Sequence, residues 1–133
     1  MPTWQKVSHI SFSARDARAC AEWFMRVLDF NPLDEVEGEG WKGILVIHPA
    51  STTILEFQQH DANAGELFDP RRTGLDHVGF LVTTRAELDE WQRHFQTLGV
   101  DFTPVVDRDY GGVLTFRDPD KRQFEMFYRE GHP

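Results

Sequence analysis

From Lys6 to Ser13 the residues alternate, with Ser8, Ile10 and Phe12 on one side and Val7, His9, Ser11 and Ser13 on the other. A period of two predicts a strand with one packed face. From Ala14 the period lengthens, and Cys20, Trp23, Phe24, Val27 and Leu28 fall on one stripe of a helix. Asp16 is expected in its first turn, where the helix dipole favours a carboxylate, and Pro32 is expected to stop it. Three strand-like runs follow, near Leu33 to Val36, Trp41 to Ile47 and Thr52 to Gln58, separated by Gly38, Gly40 and a Pro49-Ala50-Ser51 turn. His60 to Gly74 keeps no period and reads as a connection.

The same order then returns. Leu75 to Val82 predicts a strand, and Thr83 or Thr84 an N-cap, with Glu87 completing a capping box on Thr84. Leu88, Trp91, Phe95 and Leu98 form the helical stripe, and Gly99 stands where a C-terminal glycine is expected. Strands are predicted near Phe102 to Val106, Gly112 to Phe116 and Gln123 to Tyr128, the last two joined by a turn through Asp118-Pro119-Asp120-Lys121. The repeat is also literal: Val7-Ser8-His9-Ile10-Ser11-Phe12 returns as Leu75-Asp76-His77-Val78-Gly79-Phe80. At the same offset Glu22-Trp23 returns as Glu90-Trp91, and one residue further on Glu56 returns as Glu125. The chain reads as α+β, two tandem βαβββ modules at 6–59 and 75–129 joined by a linker at 60–74, within a single domain. Each module contributes one His and one Glu.

Strand parity gives those four residues a common direction. Leu55 and Phe57 oppose Glu56, Phe124 and Met126 oppose Glu125, and Val78 and Phe80 oppose His77. The apolar faces are expected to pack on each module's helix, so His9, Glu56, His77 and Glu125 lie on the opposite faces and can converge. Two imidazoles and two carboxylates suit one divalent cation per site, Zn, Ni, Co, Mn or Fe, with positions left for substrate oxygens. A lone His or Glu on a strand is usually only a solvated or satisfied polar residue. Matched positions in two repeats make these four a set.

Charge and composition narrow the partners. A net charge of −8, from 14 Lys and Arg against 22 Asp and Glu, does not supply the basic surface that nucleic acid or an anionic membrane requires. A small-molecule substrate is expected instead. No window is apolar enough for a membrane span, and a cytoplasmic location is the default expectation. Cys20 is the only cysteine, which excludes an internal disulfide and a thiolate metal cluster; it is expected in the core. Trp23 and Trp91 read as core, His94 and His132 as surface, and Lys121 and Arg122 as dressing of a turn. Trp41, Gln58, Tyr110 and Phe127 are the pocket candidates, with His60 at the pocket mouth.

Two strand-helix-three-strand modules, a His on the first strand of each, a Glu on the last, and the turn Phe116-Arg117-Asp118-Pro119-Asp120 before Glu125 resemble the vicinal oxygen chelate superfamily. This is the glyoxalase, bleomycin-resistance and extradiol-dioxygenase group, and the resemblance runs from Val7 to Tyr128. It implies a curved eight-stranded cleft with helices outside, built within one chain or across a homodimer, and a homodimer is the assembly expected. The set His9, Glu56, His77 and Glu125 looks most like that of glyoxalase I, which implies a lyase or isomerase working through a metal-held enediolate. By that likeness Glu125 is the general base and Glu56 its counterpart. A ring-cleaving dioxygenase and a non-catalytic antibiotic- or toxin-binding protein are the alternatives within the group. Bacterial glyoxalase I commonly has an Arg where this chain has Ser13 and an Asn where it has His60. Both positions are expected to meet substrate, and the departures point away from glutathione toward another thiol adduct, another hydroxycarbonyl or an aromatic compound.

Overall fold

Ten elements alternate as the periodicity implies, and the computed structural model describes all residues, 1–133. Strand β1 (Ile10–Ser13) leads through α1 (Ala17–Leu28) to β2 (Asn31–Gly38), β3 (Trp41–Ile47) and β4 (Ile54–His60). The second half runs β5 (His77–Leu81), α2 (Arg85–Leu98), β6 (Val106–Arg108), β7 (Gly111–Arg117) and β8 (Gln123–Tyr128). Each half forms one four-stranded mixed sheet, ordered β1-β4-β3-β2 and β5-β8-β7-β6. In each the first strand runs parallel to the last and the remaining pairs are antiparallel. The protein is therefore α+β, with two βαβββ modules, and it divides into compact units Met1–Glu66 and Leu67–Pro133 inside the expected linker. Neither helix is long and apolar enough to cross a membrane.

Both modules bury the predicted strand faces under their helices. In the first, Phe24, Val27 and Leu28 of α1 are buried with Leu55 and Phe57 of β4, and the Phe24 and Phe57 rings lie 5.0 Å apart. In the second, Leu88 and Phe95 of α2 are buried with Leu114, Phe116 and Phe124, and Phe95 meets Phe116 at 4.6 Å. Each such side chain contributes roughly 1.5–3 kcal/mol through burial. Gly112 lets α2 come close, since a Cβ there would stand 2.6 Å from Leu88 Cδ1. The opposite sheet faces carry the polar residues of interest.

Local signals behave unequally. The α2 capping box forms as expected: Thr84 Oγ1 accepts from Glu87 N at 3.3 Å, and Glu87 Oε2 accepts from Thr84 N at 2.8 Å. Gly99 caps the other end at φ +66. At α1, Asp16 is not inside the first turn but is the N-cap itself, its side chain accepting from Ala19 N at 3.0 Å. Pro32 does not stop that helix either. Asp29 ends it in the left-handed region, and Pro32 lies within β2.

Strand boundaries shift where ladder partners run out. Val7 to His9 precede β1, whose partners on β4 begin at Leu55. The expected strand at Phe102 to Val106 shrinks to a single bridge between Phe102 and Phe116, with the regular ladder starting only at Val106. Pro104 has no N–H to give, and Val105 N donates instead to Gln92 Oε1 at 2.7 Å. Trp23 and Trp91 are only half-buried, resting on Phe24 and Phe95.

Candidate functional site

The parallel pairing of β5 with β8 sets Gly79 beside Glu125 and His77 beside Gln123, so His77 lies on Glu125's face, two residues before its neighbour. His77 Nε2 is 3.7 Å from Glu125 Oε2. That is too long for a hydrogen bond and close to the separation of two donors each bound about 2.0–2.2 Å from one ion. On the other side of the ring, Nδ1 lies 2.7 Å from Asp76 Oδ1. An ionised Asp76 can only accept, so in the neutral ring this contact puts the proton on Nδ1 and leaves Nε2 on the side of Glu125. A Cβ on Gly79 would meet nothing within 4 Å, so the space beside Glu125 is open.

The first module repeats this placement with a different carboxylate pose. Ser11 pairs with Glu56, and His9 again stands two residues before the neighbour of the Glu. His9 is exposed, its Nδ1 3.1 Å from Ser8 Oγ. Glu56 is buried, only 6% exposed, and its Oε1 accepts from Gln58 Nε2 at 3.0 Å. It leans over β3, where a Cβ on Gly43 would stand 2.5 Å from that same oxygen. Gly43 and Gln58 thus form a cradle for one carboxylate oxygen. The chain gathers no group of three or more His, Cys, Asp or Glu side chains able to hold a metal ion; its donors stand in these smaller arrangements.

The remaining sequence candidates fall into place individually. Ser13 pairs with Gln58 on the His9 face of β1 and is exposed. Trp41 pairs with His60 and spreads its indole over Gly38, while His60 is exposed at the end of β4. Tyr110 and Phe127 stack with centroids 6.2 Å apart. Arg122 is buried in the turn, its Nε donating to Asp118 Oδ2 at 2.7 Å and its Nη1 to Asp120 at 3.2 Å, which makes it a structural residue as expected. Sequence reasoning missed Asp76, Gly43 and Ser8. Only Asp76 had a visible signal, a carboxylate next to a singled-out His.

An α+β chain of two βαβββ modules, each with one His and one Glu at equivalent positions, defines a class of small two-module proteins. The chain belongs to the Glyoxalase/Bleomycin resistance protein/Dioxygenase superfamily, whose family description it matches over residues 6–126. A solved glyoxylase/bleomycin resistance protein/dioxygenase domain from Frankia sp. EAN1pec is 31% identical, with a TM-score of 0.87 over 98% of this chain and 96% of that one. A glyoxalase family protein from Enterococcus faecalis is 20% identical, with a TM-score of 0.77 over 93% and 98%. A variant of the fosfomycin resistance protein FosX from Listeria monocytogenes, complexed with Mn(II) and 1S,2S-dihydroxypropylphosphonic acid, is 17% identical, with a TM-score of 0.71 over 97% and 96%. No curated protein matches the chain.

Proposed function

We propose that the protein is a metal-dependent lyase or isomerase of this superfamily, acting on a small substrate with two neighbouring oxygens, and that His9, Glu56, His77 and Glu125 are its metal ligands. The observation that carries this reading is the repeated placement of a His two residues before the strand neighbour of a Glu, in both modules. The donor set fits a divalent cation: two imidazoles and two carboxylates with no thiolate. In one half the ring is already oriented by Asp76, with Nε2 and Oε2 3.7 Å apart. The Mn(II) in the Listeria FosX complex supports a divalent ion on this fold. When bound, such an ion supplies Lewis acidity toward the substrate oxygens.

The chain's own residues supply the proton chemistry. Glu125 is partly open to solvent, at 23% of its side chain, and its carboxylate takes the proton from the carbon beside the substrate carbonyl and returns it to the adjoining carbon. Asp76 holds His77 so that its Nε2 keeps a lone pair for the cation. Glu56, held by Gln58 over Gly43, keeps the second carboxylate in a fixed and largely dry place.

Metal analysis after gentle purification tests the first half of this reading, with close to one equivalent of divalent metal expected. The second half is tested by formation of a 2-hydroxy acid product from methylglyoxal with a panel of thiols. Glu125→Gln is expected to retain at least part of the metal and lose turnover. A metal-free protein that binds small molecules equally well after chelation would be a binding protein, and the reading would fall.

A further inference from the structure

The repeat that matches His9 with His77 also matches the residue before each, Ser8 with Asp76, and both neighbours reach the ring Nδ1. Ser8 Oγ lies 3.1 Å from His9 Nδ1, and Asp76 Oδ1 lies 2.7 Å from His77 Nδ1. The placement is repeated but the chemistry is not. An ionised carboxylate only accepts, which commits a neutral His77 to a proton on Nδ1 and a lone pair on Nε2. A hydroxyl donates as well as it accepts. Ser8 therefore leaves both tautomers open to His9, and the one protonated on Nε2 has no lone pair there for a cation.

Two further differences between the modules point the same way. His77 opens β5 and is held in its ladder opposite Gln123, whereas His9 stands ahead of β1, whose ladder begins at Ile10. A donor on a regular element keeps its position better than one on the chain leading into it. The carboxylates differ as well. Glu125 Oε2 already stands 3.7 Å from His77 Nε2, about the separation of two donors on one ion. Glu56 has its Oε1 turned to a donor of the protein itself, Gln58 Nε2 at 3.0 Å, and confined over Gly43.

We propose that the two half-sites are unequal: His77 and Glu125 bind a divalent cation more tightly than His9 and Glu56, and the residue before each imidazole, Asp76 in one module and Ser8 in the other, sets the difference. The proposal rests on the metal-dependent reading above. Asp76 acts through His77 as a positioning residue and is not itself a ligand. Partners of this kind carry about 10–100-fold in metal affinity, and hydrogen bonds to an ionised acceptor are roughly twice as strong as those between neutral groups. The ranking holds whether one cation draws on both pairs or each pair binds alone, because either way it is read from the penalty for losing each imidazole.

Zn(II) affinities, taken by competition with a fluorescent chelator, and long-range proton-nitrogen spectra of the imidazoles in the metal-free protein test the ranking without recourse to turnover. His77→Ala is expected to weaken Zn(II) binding about tenfold more than His9→Ala. Ser8→Asp, which gives the first module the carboxylate of the second, should raise Zn(II) affinity about tenfold and move the His9 proton to Nδ1; a gain of affinity cannot come from misfolding. Asp76→Ser should lower the affinity and release His77 from its single tautomer. Equal penalties for the two alanine variants, or unchanged affinity in Ser8→Asp, overturn the proposal and leave the metal reading standing. A gain without a change of tautomer, as added charge alone would give, overturns it in the same way. Absence of Zn(II) binding to the unaltered protein overturns both.

Discussion

Asp76 is a small residue decision with a large expected effect. Its carboxylate, 2.7 Å from His77 Nδ1, leaves Nε2 as the ring nitrogen for the proposed cation, and such partners of metal-bound His typically carry 10–100-fold in affinity. Asp76→Asn is therefore expected to weaken Zn(II) binding by about that range, measured by competition with a chromogenic chelator; unchanged affinity would show that the ring needs no such holder. Gly43 makes the complementary case on the first module. A methyl there would stand 2.5 Å from Glu56 Oε1, so Gly43→Ala should cost about 1–3 kcal/mol and free Gln58 from its 3.0 Å hydrogen bond. Urea denaturation of Gly43→Ala, Glu56→Ala and the double variant tests this: the alanine at 43 should cost clearly less once the carboxylate is gone, leaving only its 3.0 Å approach to Val36 Cγ2. His9, Glu56, His77 and Glu125 stood out as matched positions because the chain states them twice, and the equivalent pairing of their strands is what the structure adds. Gly43 was not legible, since its role exists only through a cross-strand neighbour that no spacing reveals.

Among the elements, α2 shows what local signals can and cannot fix. Its start was readable because a capping box is closed within four residues, and Thr84→Ala should lower stability by about 1 kcal/mol in a chemical melt. Strand β6 was misplaced by several residues because its position is decided elsewhere, by Pro104, by Gln92 taking the Val105 N–H, and by Arg85 reaching across from α2. That last pair also sets a pH dependence. The hydrogen bonds from Arg85 hold the Asp107 carboxyl below its ordinary value of 3.8, so the unfolded chain binds the proton more readily than the folded one. The pair's contribution is complete above pH 3.8 and is lost as pH falls through the depressed folded value. Asp107→Asn should accordingly flatten the fall in urea midpoint below pH 3.8, leaving the neutral-pH slope alone. An unchanged acid limb would mean that solvent already screens this exposed pair.

At the scale of the whole molecule, the repeat made two modules readable before any coordinates, because the halves bury equivalent faces under equivalent helices. What a repeat cannot reveal is whether equivalent residues act together. The chain divides into two compact units, each with its own sheet and its own His and Glu, and two such donors alone make a weak site for an ion that prefers four or more ligands. If the donors of both modules serve one cation, titration with Zn(II) should saturate near one equivalent per chain. His9→Ala and His77→Ala should then each weaken that one site, and the double variant should lose less than the sum of the two free-energy penalties, since an ion already released cannot be released again. Independent half-sites would behave differently at every step: two weak equivalents, one removed by each substitution, and additive losses. Isothermal titration of the four proteins at equal chain concentration separates the two outcomes, and independent sites would remove the basis for a shared catalytic cation.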